Sequence, residues 1–299
     1  MTKRGIWIGG AIALIVVAVI AAAFVIWPRD DGAPRAATSA APRETPSATT
    51  TPSPAPTGPP ANNTRYDAAD LPVDDVFLVD PDLPVDDDPQ GEVLPLIASP
   101  RQAEGAPVFA DPEGEPVAWL PQEQTYGGTD VPVVEKHASW VKVLLVGRQA
   151  RAGEGDARQV AGWLRASDVV LTPNDVSIEI DLAAHTIDIV RHDESGPSRE
   201  RIAEDFAWGT DATPTPVGRT FIMHTESVPS LGYTRGQPII YLGAQSTTLA
   251  GFDGQDVAVT AFHYHDVRSG AISNGCIRVG EEVTARLAEL PLGTPIVIS

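Results

Sequence analysis

Val176-Ser-Ile-Glu-Ile-Asp-Leu182 alternates apolar and polar residues, and Thr186-Ile-Asp-Ile-Val190 alternates again after a short Ala-His break. A period of two puts one set of side chains on one face of a strand, and two such runs across a short break read as a hairpin. Working outward, further strands are expected at 202–208, 220–224, 237–242 and 257–263. One helix is expected over 281–290, where Val283, Leu287 and Leu290 share a face and Glu281 and Glu282 complement the dipole in its first turn. Pro291 ends that helix, and Gly293-Thr-Pro-Ile-Val-Ile298 closes the chain as a strand. Many strands with one late helix indicate a mainly-β sandwich of mixed sheets over 176–299.

A second β unit is expected over 92–172. Pro107-Val-Phe-Ala110 and Val117-Ala-Trp-Leu120 flank the turn Asp111-Pro-Glu-Gly114. Val131-Pro-Val-Val134 leads into Ser139-Trp-Val-Lys-Val-Leu-Leu-Val146, which alternates well enough for a half-buried strand. A Gly/Arg-rich loop, 147–158, then precedes Gly162-Trp-Leu-Arg-Ala-Ser-Asp-Val-Val170. The large rings of Trp140 and Trp163 suit a core better than a ligand platform.

The N-terminal 91 residues have a different character. Lys3 and Arg4 precede an uncharged apolar run over 6–26, which as a helix would be about 31 Å long, enough to cross a bilayer. The flanking cations place residues 1–27 as a single-pass signal anchor with the remainder outside the cell membrane, and Ala21-Ala-Ala23 leaves cleavage as the alternative. Residues 28–60 hold nine prolines among Ala, Thr and Ser and lack apolar periodicity, which marks a disordered, semi-stiff spacer. Residues 61–92 carry ten acidic residues against Arg65 alone, and Asp70-Leu-Pro-Val-Asp-Asp75 recurs as Asp82-Leu-Pro-Val-Asp-Asp87. Without an EF-hand's glycine and ligand spacing, this stretch reads as a solvated acidic tether, so the linker is expected to run over 28–91. The whole chain, 299 residues with a formal charge of −19, shows no clustered Lys/Arg for nucleic acid.

The chain holds one cysteine, which excludes an internal disulfide and a multi-cysteine zinc site. An unpaired thiol outside the membrane is exposed to oxidation, so its presence there needs a reason. Cys276 lies in Ala271-Ile-Ser-Asn-Gly-Cys-Ile-Arg278, where small and polar residues suit a tight turn. Such a turn aims backbone N–H groups at the sulfur, which can stabilise a thiolate and the oxyanion of an acyl-transfer intermediate. A base is required within reach, and Ala261-Phe-His-Tyr-His-Asp266 supplies His263 and His265. His263 shares the period-two face of Val257, Val259 and Ala261 and stands where that strand should end; His265 is the alternative. A metal held by His263, His265 and Asp266 would need ligands crowded on one short loop, and none is expected.

Two resemblances follow from these residues. Trp140-Val-Lys-Val and Gly162-Trp-Leu, with a loop between them, resemble the bacterial SH3-like domains of cell-wall enzymes. Ser273-Asn-Gly-Cys-Ile-Arg278 after a histidine-ended strand resembles the signature of the L,D-transpeptidase (YkuD-type) catalytic domain, with Asn274 in the slot more often held by His. Thr213-Pro-Thr-Pro-Val-Gly218 before Thr220-Phe-Ile fits that family's Thr-Pro-x-Gly and strand. Two departures are a short loop from His263 to Ser273 and Tyr264 in place of a small residue.

The resemblance implies an L,D-transpeptidase-like fold, a small SH3-like barrel beside it, and acyl transfer on peptidoglycan stem peptides. Cys276 would be the nucleophile and His263 the base. The backbone N–H groups of Asn274, Gly275 and Cys276 would hold the oxyanion, Ser273 would support that turn or orient the histidine, and Arg278 and Tyr264 would meet substrate. No cofactor is implied, and a monomer is expected. An L,D-carboxypeptidase using water as acceptor and a non-catalytic wall-binding protein are the rival readings. A Cys/His endopeptidase of the NlpC/P60 type would need its histidine after the cysteine, and none follows Cys276.

Overall fold

Alternation decides which side of each strand is buried, and in this chain it does so in two connected sheets. A computed structural model describes residues 58–299. The first sheet holds β1 (Leu96–Pro100), β2 (Ala106–Phe109), β3 (Pro116–Leu120), β4 (Val131–Lys136), β5 (Trp140–Leu144), β6 (Ala161–Arg165) and β7 (Val169–Pro173). Its order is β3-β2-β6-β5-β4-β1-β7, and every pairing is antiparallel. Trp140 is fully buried, with its Nε1–H donating to the Pro60 carbonyl at 2.8 Å.

The second sheet holds β8 (Val176–Asp181), β9 (Thr186–Asp193), β10 (Gly196–Ala203), β11 (Ala207–Gly209), β12 (Gly218–Glu226), β13 (Ile239–Gln245), β14 (Val259–Tyr264), β15 (Gly270–Ser273), β16 (Ile277–Val279) and β17 (Pro295–Ile298). Its order is β10-β9-β8-β17-β12-β13-β14-β16-β11-β15, with β17·β8, β14·β16 and β11·β15 parallel. The fold is mainly β with mixed pairing and a single late α-helix, α1 (Glu281–Ala288), among the described residues. Val283 and Leu287 are buried on its inner face, and each such side chain stabilises the fold by about 1.5–3 kcal/mol. The strand expected at 202–208 is interrupted. Glu204 pairs with Arg201 and Asp205 with Arg268, and these charged residues separate β10 from β11.

β12 links the two sheets' cores. Its first half pairs with β17 and its second half with β13. Ile222 enters the core of the second sheet, together with Ile178, Ile180, Phe262, Ile277 and Leu287. Phe221 and Met223 enter the core of the first sheet, together with Val108, Leu120, Val143 and Leu164. Val257, Val259 and Tyr241 also pack on this shared core. The first sheet therefore lies over one face of the second.

The acidic stretch 61–92 is not the solvated tether expected. Its residues lie along the first sheet, with bridges from Val73 to Trp119, Val79 to Arg148 and Val85 to Val160. Val76 and Leu83 are buried in the shared core. The fifth residue of each repeat copy, Asp74 and Asp86, is also buried. Gly147 N–H donates to Asp74 Oδ1 at 2.9 Å. Asp86 takes a bidentate pair from Arg219 of β12, with Nε–Oδ2 and Nη2–Oδ1 both 2.8 Å. Buried carboxylates require such partners, and these partners lie far along the chain. No helix among the described residues is long and apolar enough to cross a membrane, and the expected span at 6–26 lies outside those residues.

Candidate active site

Strand register brings the histidine and the thiol together. β14 and β16 run parallel, with Phe262 opposite Ile277, His263 opposite Arg278 and Tyr264 opposite Val279. Phe262, Ile277 and Val279 point into the second core, so the alternating residues Ala261, His263, Cys276 and Arg278 share the other face. Cys276 thus stands two residues before His263's partner, a diagonal neighbour across one strand spacing. Cys276 as a residue is partly exposed, while its thiol is set deep enough for burial to act on it.

The turn before Cys276 is held from both sides. Ser273 Oγ donates to the Cys276 carbonyl and accepts the Gly275 N–H at 3.1 Å. Gly275 has φ +105°, a conformation that an L side chain rarely adopts. The segment 210–215 cradles this turn. Thr210 N–H and Thr213 Oγ1 donate to the Ser273 carbonyl at 3.1 and 3.0 Å, and Thr215 Oγ1 donates to the Gly275 carbonyl at 2.9 Å. With the Gly275 N–H engaged by Ser273, the expected oxyanion donors reduce to the N–H groups of Asn274 and Cys276.

Hydrogen bonds distinguish the two histidines. His263 is buried, and its Nδ1 lies 2.9 Å from the Tyr264 carbonyl. A carbonyl only accepts, so Nδ1 carries the proton and Nε2 keeps its lone pair. In His265 the arrangement is reversed, because Nδ1 accepts the Val267 N–H at 2.9 Å. The neutral His265 ring then carries its proton on Nε2. Burial pushes the His263 pKa below the ordinary value of 6.5, and the charges of Arg278 and His265 act in the same direction against its bond to Tyr264. Burial raises the Cys276 pKa above 9.0, opposed by the Ala261 N–H at the sulfur and by Arg278. Both directions favour a neutral thiol beside a neutral imidazole.

Arg278 enters no ion pair among the described residues, and its Nε is buried without a hydrogen-bond partner. A guanidinium beside the thiol without a carboxylate of its own is suited to an anionic group brought from outside. Tyr264 is engaged elsewhere. Its hydroxyl donates to Asp266 Oδ1 at 2.6 Å, and Arg235, itself paired with Asp266, lies 5.6 Å from its ring centroid. Tyr264 thus braces the loop 232–236.

Residues that the sequence reading did not single out complete the site. Tyr233 meets His263 edge-on, with ring centroids 5.3 Å apart, and lies 5.9 Å from His265. Tyr241 is opposite Ala261 on one side and His224 on the other, and stacks on His224 at 6.0 Å. Burial, then the charge of Glu226, pushes the Tyr241 pKa up to about 12, so its hydroxyl stays protonated. These rings come from three separate elements, and no local motif announces them. No group of His, Cys, Asp and Glu among the described residues could hold a metal ion.

Comparison with solved structures finds distant similarity only. Bd1075 of Bdellovibrio bacteriovorus is 20% identical over 42% of this chain and 48% of its own length, with a TM-score of 0.31. The L,D-transpeptidase LdtMt1, solved in complex with imipenem, is 14% identical over 69% of this chain and 100% of its own, with a TM-score of 0.34. An L,D-transpeptidase of Mycobacterium smegmatis is 15% identical over 70% and 98%, with a TM-score of 0.30. At these values the likenesses carry no functional weight. No curated protein matches. The family comparison is specific to the domain that holds Cys276: residues 175–298 match the YkuD family, the L,D-transpeptidase catalytic domain.

Proposed function

We propose that the chain is a peptidoglycan L,D-transpeptidase, anchored by its N-terminal segment and acting outside the cell membrane. The observation that carries this reading is the placement of Cys276 and His263 on one face of the sheet, with His263 Nδ1 committed to a carbonyl and Nε2 left to take a proton. His263 Nε2 removes the thiol proton as the sulfur attacks the carbonyl that joins the third residue of a stem tetrapeptide to its terminal D-alanine. The N–H groups of Asn274 and Cys276 receive the developing oxyanion. Collapse of this intermediate expels D-alanine, whose amine takes the proton from His263, and leaves a thioester on Cys276. A side-chain amine of a neighbouring stem attacks the thioester and forms a 3–3 cross-link, regenerating the thiol. Arg278 pairs with a carboxylate of the donor stem. Carbapenems acylate the same sulfur.

The test is incubation with a disaccharide tetrapeptide, read by mass spectrometry. Cross-linked dimer with free D-alanine is expected, and Cys276→Ala is expected to lose both while keeping the fold. Tripeptide without dimer would make water the acceptor and the enzyme an L,D-carboxypeptidase. Full turnover by Cys276→Ala would overturn the cysteine mechanism.

A further inference from the structure

The face that carries Cys276 does not end at β14. Register continues it across the sheet from Ala261 to Tyr241 and on to His224 of β12. From Cys276 to His224 is three strand spacings, about 14 Å. There the loop 121–130 of the first sheet closes against it. Gly128 N–H donates to the Met223 carbonyl at 3.0 Å. At Gly127, φ +70°, a Cβ would come 2.3 Å from the Met223 carbonyl oxygen and 3.1 Å from His224 Cβ. Only glycine permits this approach, and Tyr126 is the residue that precedes it.

Tyr126 is 48% exposed, and its ring meets the 45% exposed Phe77 edge-on at 5.5 Å. Phe77 is held in place on both sides. Asp75 Oδ1 accepts the N–H of Phe77 at 2.8 Å and of Leu78 at 3.1 Å, and Gln245 of β13 donates to the Val76 carbonyl at 2.8 Å. Gln124 of the loop donates to the Asp74 carbonyl at 3.1 Å, tying the two segments together. The repeat does not require this ring, since the second copy has Pro89 in the corresponding place. Two fixed aromatic rings left facing solvent, continuous with a reactive face, mark a binding surface rather than a core.

We propose that Phe77 and Tyr126 form a subsite for a sugar ring of the peptidoglycan strand whose stem reacts at Cys276, an inference that rests on the function proposed above. A sugar ring offers a C–H face to an aromatic ring and hydroxyls at its rim, matching a Phe/Tyr pair with one phenolic hydroxyl. The carboxylates of Asp75, bonded to the Phe77 N–H, and of Glu123, three residues before Tyr126, favour this neutral occupant over an anionic one. The first sheet thereby contributes directly to substrate choice.

The test uses the full chain with Cys276→Ala, titrated calorimetrically with a tetrapeptide stem and with the same stem carrying its disaccharide. The disaccharide is expected to tighten binding at least about tenfold, and Phe77→Ala with Tyr126→Ala is expected to abolish that advantage. Both rings are exposed, so an unchanged melting temperature verifies the fold. Equal affinity for the two ligands, or an advantage that survives the double substitution, would overturn the subsite. Binding is read without turnover, so failure of the proposed reaction is seen separately, as absence of D-alanine release by the unsubstituted protein. Placing the disaccharide on the donor or the acceptor alone, and reading which cross-linking rate the double substitution lowers, assigns the strand that occupies the subsite.

Discussion

A thiol whose pKa is raised and an imidazole whose pKa is lowered have a kinetic consequence at the scale of single residues. The proton must leave the sulfur during attack, because neither group is charged at neutral pH. In the proposed mechanism acylation then fails only as His263 takes a proton from solvent. Its lowered pKa places that acid limb below 6.5, and the raised thiol leaves the rate level from there to about 9. The rate of acylation by a carbapenem, followed by intact mass across this range, should show this plateau. An acid limb at or above 6.5 would show that burial does not depress His263. In the sequence the preference for His263 over His265 rests on its place at the end of an apolar alternation. What the fold adds is a tautomer favoured by the backbone contacts of each ring, and residue order does not encode those.

At the scale of elements, the repeat 70–75 and 82–87 behaves as two pegs rather than as a chain in water. Asp86 and Arg219 lie 133 positions apart and are almost wholly buried as a bidentate pair. Removing one partner strands the other charge in the interior, which typically costs about 3–5 kcal/mol. Asp86→Ala should therefore lower unfolding free energy by that amount in urea, and a loss under about 1 kcal/mol would show that the pair contributes little. The strands of the second sheet were readable from their alternation, and α1 from its apolar face. The packing of 61–92 was not, because its composition suggests solvation and its buried residues are single side chains whose partners are distant. The bound state of the Gly275 N–H was equally hidden, since it depends on the position of one hydroxyl.

At the scale of the whole molecule, Asp74 links stability to pH. Burial raises its carboxyl pKa from 3.8 to about 7, and Oδ2 has no hydrogen-bond partner. The folded state then binds a proton that the unfolded state has already released between about pH 4 and 7. Stability is greatest below that window, declines through it, and is lower by about 4 kcal/mol above it, at ~1.36 kcal/mol per pKa unit. Asp74→Asn keeps an acceptor for Gly147 and cannot titrate. Its unfolding free energy relative to the parent should rise from pH 4 to 8 by that amount, and parallel profiles would exclude the linkage.

β12 sends Ile222 into one core and Phe221 and Met223 into the other, so it works as a keystone. Cutting the chain at 174 would leave the C-terminal piece with an oily flank bared to water and the N-terminal piece with a hole where two large side chains had been. Neither fragment is a freestanding module. Anyone transplanting this C-terminal half onto a different partner must redesign the flank along with the junction.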